Sequence, residues 1–247
     1  ADDETNSMQN ATPYRGADFG NALHLVLEHA RAADWPDGRA GPSAFRHCRQ
    51  ALLDFGYSPG MAEQGVPVLA ELASNTLLTP LPEGPCLLDL PASEKRHELE
   101  FHLKLEQADS ADILSLLHHR GYCRKRERFG FNRVLNGLLT GKIDLLYRYA
   151  GKVFIVDYKS NTLSDYSPNA LRQSIDDQEY DLQYLLYTVA VHRWLRQRIT
   201  DYAYERHFGG IRYLYARGLD PAVAGRSIYS DRPAEDLVAA LDRCFSP

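Results

Sequence analysis

The sequence predicts an α/β fold: a central mixed sheet flanked by helices, with an additional helical part on its N-terminal side. Three observations carry this. Residues 141–161, GKIDLLYRYAGKVFIVDYKSN, read as two alternating arms rich in Val, Ile, Leu, Tyr and Phe around Ala150-Gly151, the pattern of a β-hairpin. Residues 178–199 read as a strong helix whose middle, Tyr184 to Leu195, is apolar almost all round, as a helix buried against a sheet must be. Residues from about 20 to 90 are mainly helical in pattern.

Size and composition fit one large domain or two small ones. The chain has 247 residues, 44% of them hydrophobic and 25% charged, enough for a full core. No run is long and apolar enough to span a bilayer, and ADDETNSMQN at the start lacks a signal-peptide apolar region. The chain does not begin with Met, so a piece of a longer protein is expected. Cys48, Cys86, Cys123 and Cys244 are scattered with no C-x-x-C pair, which argues against zinc and disulfide frameworks and for reduced thiols in the cytoplasm.

Residues 1–17 read as a linker or tail. Asp18 is the expected N-cap of a helix carrying Phe19, Leu23, Val26, Leu27 and Ala30 on one face, with His24 on its flank. Trp35 to Pro42 reads as a loop, Ser43 as the cap of a helix to about Phe55, and 60–78 as a helix with Pro67 as a kink or break. His97 to Glu106 alternates as a strand: Leu99, Phe101, Leu103 and Leu105 on one face, Glu98, Glu100, His102 and Lys104 on the other. Ser110 is the expected cap of a helix ending near Gly121. A basic run follows, with Arg120, Arg124, Lys125, Arg126 and Arg128 interleaved with Tyr122, Phe129 and Phe131, and Arg133 beyond. Residues 160–177 read as a polar loop, 207–217 as a strand, and Asp231-Arg232-Pro233 as the opening of a last helix to about Phe245.

The hairpin holds the chemistry. A two-residue turn at Ala150-Gly151 sets Tyr149 opposite Lys152 and Asp144 opposite Asp157, and Lys159 falls on the face of Asp157. Like charges directly opposite are destabilising on a sheet, and Ile143, Leu145, Val153 and Ile155 mark this sheet as largely buried. Two such carboxylates share a proton or a cation, and hard oxygen ligands suit Mg²⁺. Lys159 balances charge and is placed to steer an attacking water. An ordinary strand end, with Asp157 paired to Lys159 or Arg148, is the competing reading. The register, which gathers all three groups on one face, favours a site.

G-K-I-D (141–144) and V-D-Y-K-S-N (156–161) resemble the core of the PD-(D/E)xK nucleases. D-L-Q-Y-L-L-Y-T-V-A-V-H-R-W-L (181–195) and H-F-G-G-I-R-Y-L-Y-A-R-G (207–218) resemble the RecB-like branch, over about Phe19 to Asp220. The resemblance implies a restriction-endonuclease-like fold over 18–247, with 18–95 a helical part and 96–247 the catalytic core. It implies a Mg²⁺-dependent deoxyribonuclease of exodeoxyribonuclease V type. His24, from Gly20-x-x-x-His24, would be a metal ligand beside Asp144, Asp157 and the main-chain carbonyl of Tyr158. Gln183 and Tyr187 match the Q-x-x-x-Y pair beside the site, and Glu100 matches a glutamate of the E-x-E-F segment and is a secondary candidate. DNA is the implied substrate, a helicase would lie ahead of this part, and RecC, RecD and RecA are the implied partners; no membrane is implied.

The four-cysteine iron–sulfur spacing of some RecB-like nucleases is absent. The net charge of −5 is unusual for a DNA-holding protein and implies a local basic patch, partner subunits that deliver the strand, or both. Arg124, Lys125, Arg126 and Arg128 are the expected DNA-facing residues, with a solvated loop as the competing reading. Two other readings remain: a stand-alone RecB-like nuclease of a mobile element or defence system, and a non-catalytic binding module. The intact Asp144, Asp157 and Lys159 argue for catalysis over the second.

Overall fold

The computed structural model describes residues 13–130 and 132–245. Residues 1–12 of the expected tail, and Phe131 of the basic run, lie outside the described residues. The chain divides into two compact units. One runs to Pro91 and takes in Tyr158–Pro168 and Tyr213–Ile228; the other holds Ala92–Asp157, Asn169–Arg212 and the segment from Tyr229.

The first unit is helical: α1 (Ala17–Glu28), α2 (Pro42–Asp54) and α3 (Pro59–Leu78). Phe19, Ala22, Leu23, Val26 and Leu27 form the buried face of α1. Gly16, at φ 85°, precedes that helix, so Asp18 sits inside the first turn rather than at the N-cap, where its charge still meets the positive end of the helix dipole. Pro42 opens α2 at N1, where its missing N–H costs nothing, so Gly41 and not Ser43 stands at the N-cap. Ser58 caps α3 by accepting the Met61 N–H at 3.5 Å, and Pro67 lies within that helix without ending it. Trp35 is buried and donates its indole N–H to Ser74 Oγ at 2.9 Å.

The second unit holds most of a mixed five-stranded sheet in the order β1 (Lys95–Asp109), β2 (Val134–Tyr149), β3 (Lys152–Lys159), β4 (Phe208–Tyr215), β5 (Ile228–Asp231). Its helices are α4 (Ser110–His119), α5 (Pro168–Asp177), α6 (Tyr180–Arg198), the short α7 (Tyr204–His207) and α8 (Glu235–Phe245). Ala150 (φ 47°) and Gly151 (φ 78°) both have positive φ, the requirement of a tight turn whose twist matches its strands. The β2–β3 ladder accordingly runs Tyr149↔Lys152, Arg148↔Val153, Tyr147↔Phe154, Leu146↔Ile155, Leu145↔Val156. The β1–β2 ladder shifts between Leu105 and Ala108. Gln107, at φ 53°, makes the bulge there, its N–H donating to Asn136 Oδ1 at 2.7 Å.

Three further expectations are corrected. Asp109, not Ser110, caps α4: its Oδ1 accepts the N–H groups of Ala111 (2.8 Å) and Asp112 (3.2 Å). The segment 160–177 is a loop only as far as α5, which buries Leu171, Ser174 and Ile175 at helical spacing within a polar stretch. The last helix opens at Glu235, because Asp231 ends the short strand β5. Among the described residues no helix is long and apolar enough to cross a membrane.

Candidate active site

In the second unit, the β2–β3 ladder stops one step short of Asp144 and Asp157. Continued by one step, that register would set Asp144 opposite Asp157. Asp157 is 3% exposed, and Asp144 is half-buried. Both act on the same neighbour on α6. The buried Tyr187 hydroxyl is held well above the usual tyrosine pKa, first by burial and then by the negative charges of Asp157 and Asp144. Gln183, one turn earlier, donates its side-chain N–H to the Tyr187 hydroxyl at 2.8 Å. The Phe101 ring of β1 packs edge-on against Tyr187 at 5.6 Å. Phe101 pairs with Gly141, where an added Cβ would meet the ring at 2.5 Å. The glycine of G-K-I-D thus lets the β1 aromatic lie across β2 and support Tyr187.

In the first unit, His24 Nε2 lies 2.9 Å from the main-chain oxygen of Tyr158. Gly20 permits this approach: a Cβ there would stand 2.8 Å from Ser160 Oγ. Gly20 and His24 are four residues apart and share one helix face, so the G-x-x-x-H spacing seats α1 on the end of β3. Lys159, 9% exposed, holds its Nζ 4.9 Å from the centroid of the Tyr213 ring.

The donor chemistry fits a hard divalent cation. The His24 imidazole nitrogen and the Tyr158 carbonyl oxygen, 2.9 Å apart, are both groups that would serve such a cation as donors. Among the described residues, no three His, Cys, Asp or Glu side chains form a ready-made metal cluster.

A sequence profile of the PD-(D/E)XK nuclease superfamily matches residues 4–241. The chain belongs to the PD-(D/E)XK nuclease superfamily. Nucleases of this superfamily generally use divalent metal ions. The chain is 40% identical over 242 residues to the RecBCD enzyme subunit RecB of Escherichia coli K12, covering 94% of this chain and 19% of that protein. It is 31% identical over 236 residues to RecB of Haemophilus influenzae, with 94% and 18% covered. Against RecB of Mycobacterium tuberculosis it is 33% identical over 260 residues, with 92% and 23% covered. The chain thus spans about a fifth of the length of the RecB proteins it matches.

In this PD-(D/E)XK nuclease, the strand β1 glutamates separate. Glu100 is exposed, in register with Lys142. Glu98 adopts φ 52° between the His97↔Leu145 and Leu99↔Ile143 pairs, at the position across from Asp144. It ion-pairs with Lys142 at 2.7 Å and adds to the negative field on Tyr187. Strand alternation alone treats the two glutamates alike. The positive φ that separates them is invisible to it.

The basic run is largely engaged by acids of its own unit. Lys125 pairs with Asp177, and Arg126 with Glu179, its Nε 3.1 Å from Oε1, while its guanidinium covers the Phe129 ring at 5.1 Å. Arg120 pairs with Asp236 and Arg133 with Asp109. Arg124 and Arg128 are exposed, and Arg124 Nε donates to the Gly121 carbonyl at 2.9 Å. The Cys123 N–H donates to the buried carboxylate of Asp181 at 2.5 Å, which fastens the run to the start of α6.

Proposed function

We propose that this chain is a Mg²⁺-dependent deoxyribonuclease, the nuclease part of a RecB-type chain acting in double-strand break processing in the cytoplasm. The hairpin register supports this most: its ladder points to Asp144 and Asp157 as the next pair, and both carboxylates act on the buried Tyr187. Asp144 and Asp157 would hold the cation, and by the family resemblance His24 Nε2 and the Tyr158 carbonyl would be further ligands. When bound, the cation supplies Lewis-acid polarisation of the scissile phosphate and lowers the pKa of water. Lys159 orients the attacking water and offsets the charge that develops on the phosphoryl oxygens. Water oxygen bonds to phosphorus as the bond to the leaving sugar oxygen breaks. Gln183 fixes the Tyr187 hydroxyl, and the pair positions Lys159 or the strand; Glu98, and secondarily Glu100, complete the acidic rim. Arg124, Lys125, Arg126 and Arg128 meet DNA phosphates.

The matched relatives are named as subunits of RecBCD. By that likeness RecC and RecD are the proposed partners and RecA a further one, with exodeoxyribonuclease V as the activity. Digestion of end-labelled linear DNA with and without Mg²⁺ tests the reading. Cleavage in Mg²⁺ and none in EDTA is expected; equal cleavage in both conditions, or none in either, rejects it.

A further inference from the structure

Arg217 lies just after β4, in the first unit, with its guanidinium half-buried. Its Nε donates to the Ser160 carbonyl at 2.9 Å, and Nη2 donates to the Tyr14 carbonyl. Its Cζ stands 5.3 Å from the centroid of the Phe19 ring. No carboxylate of the described residues pairs with it, and burial pulls its pKa below the ordinary arginine value. A cation kept in this setting without a counter-charge is held for its geometry: a planar fork whose donors reach two separate carbonyls at once.

The two carbonyls are informative. Ser160 is the residue after Lys159, at the end of β3, and Tyr14 lies just ahead of α1, the helix that carries Gly20 and His24. Three contacts therefore join α1 and the residues just ahead of it to the end of β3: Tyr14 to Ser160 through Arg217, Gly20 against Ser160, and His24 Nε2 at 2.9 Å from the Tyr158 oxygen. The residue after Arg217 also packs against the loop that follows β3. Gly218 is packed so closely on Tyr166 that a Cβ would meet the ring at 2.3 Å, and the Tyr166 hydroxyl donates to the Asn161 carbonyl at 3.0 Å.

We propose that Arg217 is a positioning residue that sets the spacing of the His24–Tyr158 ligand pair by bolting the start of α1 to the end of β3. This rests on the reading of His24 and the Tyr158 carbonyl as cation ligands.

The test compares Arg217→Lys with Arg232→Lys. Arg232 makes a similar pair of bonds to main-chain carbonyls, those of Phe208 (3.0 Å) and Tyr204 (3.4 Å), in the other unit. Mn²⁺ binding to each protein is measured by electron paramagnetic resonance, well below each melting temperature, beside the Mg²⁺ dependence of DNA cleavage. Arg217→Lys should weaken Mn²⁺ binding and raise the Mg²⁺ needed for half-maximal cleavage by roughly tenfold or more, the scale set by groups that orient metal ligands, with KM for DNA unchanged. Arg232→Lys should lower the melting temperature and leave Mn²⁺ binding alone. Mn²⁺ affinity within about twofold of wild type in Arg217→Lys overturns the proposal, as does an equal loss in both variants. A rise in KM for DNA with metal affinity intact overturns it too and assigns Arg217 to phosphate binding. Arg217→Gln is read in the same way where Arg217→Lys does not fold. Asp157→Ala separates the two layers: if it keeps wild-type Mn²⁺ binding, the metal-site reading itself fails; if it loses binding while Arg217→Lys keeps it, only the Arg217 inference fails.

Discussion

The imidazole of His24 meets the main-chain oxygen of Tyr158, the residue after Asp157, at 2.9 Å. As a hydrogen bond, this contact needs a proton on Nε2; as half of a coordination shell, it needs that proton gone. On the proposed reading, cation binding would replace this hydrogen bond by coordination of both atoms. His24→Ala should raise the Mg²⁺ needed for half-maximal cleavage by roughly tenfold to a hundredfold. A Mg²⁺ titration of the folded variant checks this, and an unshifted midpoint removes His24 from the site.

The β2–β3 register carries a stability consequence. Asp144 and Asp157 are consecutive to the last ladder pair, and Glu98 lies across from Asp144 on the other side. On the proposed reading, their mutual repulsion in the absence of a cation would oppose folding at neutral pH. Asp144→Asn should be at least as stable as wild type in EDTA and lose most of the Mg²⁺ stabilisation. In wild type that gain reaches about 2.7 kcal/mol at a hundredfold excess over Kd. Thermal melts in EDTA and in excess Mg²⁺ measure both effects. A wild type blind to Mg²⁺, with Asp144→Asn melting clearly lower in EDTA, is the signature of an ordinary salt-bridged strand end.

The basic run is tied to carboxylates: Lys125 to Asp177 and Arg126 to Glu179. On the proposed reading, DNA phosphates would compete with these acids for the run. Asp177→Asn with Glu179→Gln should tighten DNA binding and steepen its salt dependence by about one unit of slope per added phosphate contact. Replacing Arg124, Lys125 and Arg126 by Ala should do the reverse. Identical salt slopes in wild type and both variants would place the DNA path elsewhere.

Burial holds the Asp181 carboxyl above the usual carboxylate range, against the opposing N–H bonds from Cys123 and Leu182. The folded state thus binds this proton more tightly than the unfolded chain. The associated stability is fully present below the unfolded carboxylate pKa of about 3.9 and is lost as pH rises through the folded value. Asp181→Asn keeps an acceptor for Cys123 and removes the titration. Its melting temperature should fall less than that of wild type as pH rises from about 4 to 7. A steeper fall in the variant contradicts this assignment.

The elements of the fold differ in how plainly the sequence announces them. The β2–β3 register was legible because strand alternation and the Ala150-Gly151 turn leave one pairing, and the ladder from Tyr149 to Leu145 follows it. The role of Gly141 was not, because Phe101 reaches it from a strand forty residues earlier. Helix α5 was hidden because only Leu171 and Ile175 give it an apolar face amid polar residues. Glu98 was indistinct from Glu100 because its positive φ breaks the alternation on which strand reading depends. The neutralisation of Lys125 and Arg126 depends on acids some fifty residues downstream, a distance that charge patterning along the chain does not bridge.

The most direct measurement is cleavage of end-labelled linear DNA at saturating Mg²⁺ by wild type, Asp157→Ala and Lys159→Ala, each shown by circular dichroism to be folded. The account predicts Mg²⁺-dependent cleavage by wild type and none above background by either variant. Near-wild-type cleavage by a folded Asp157→Ala protein would contradict it.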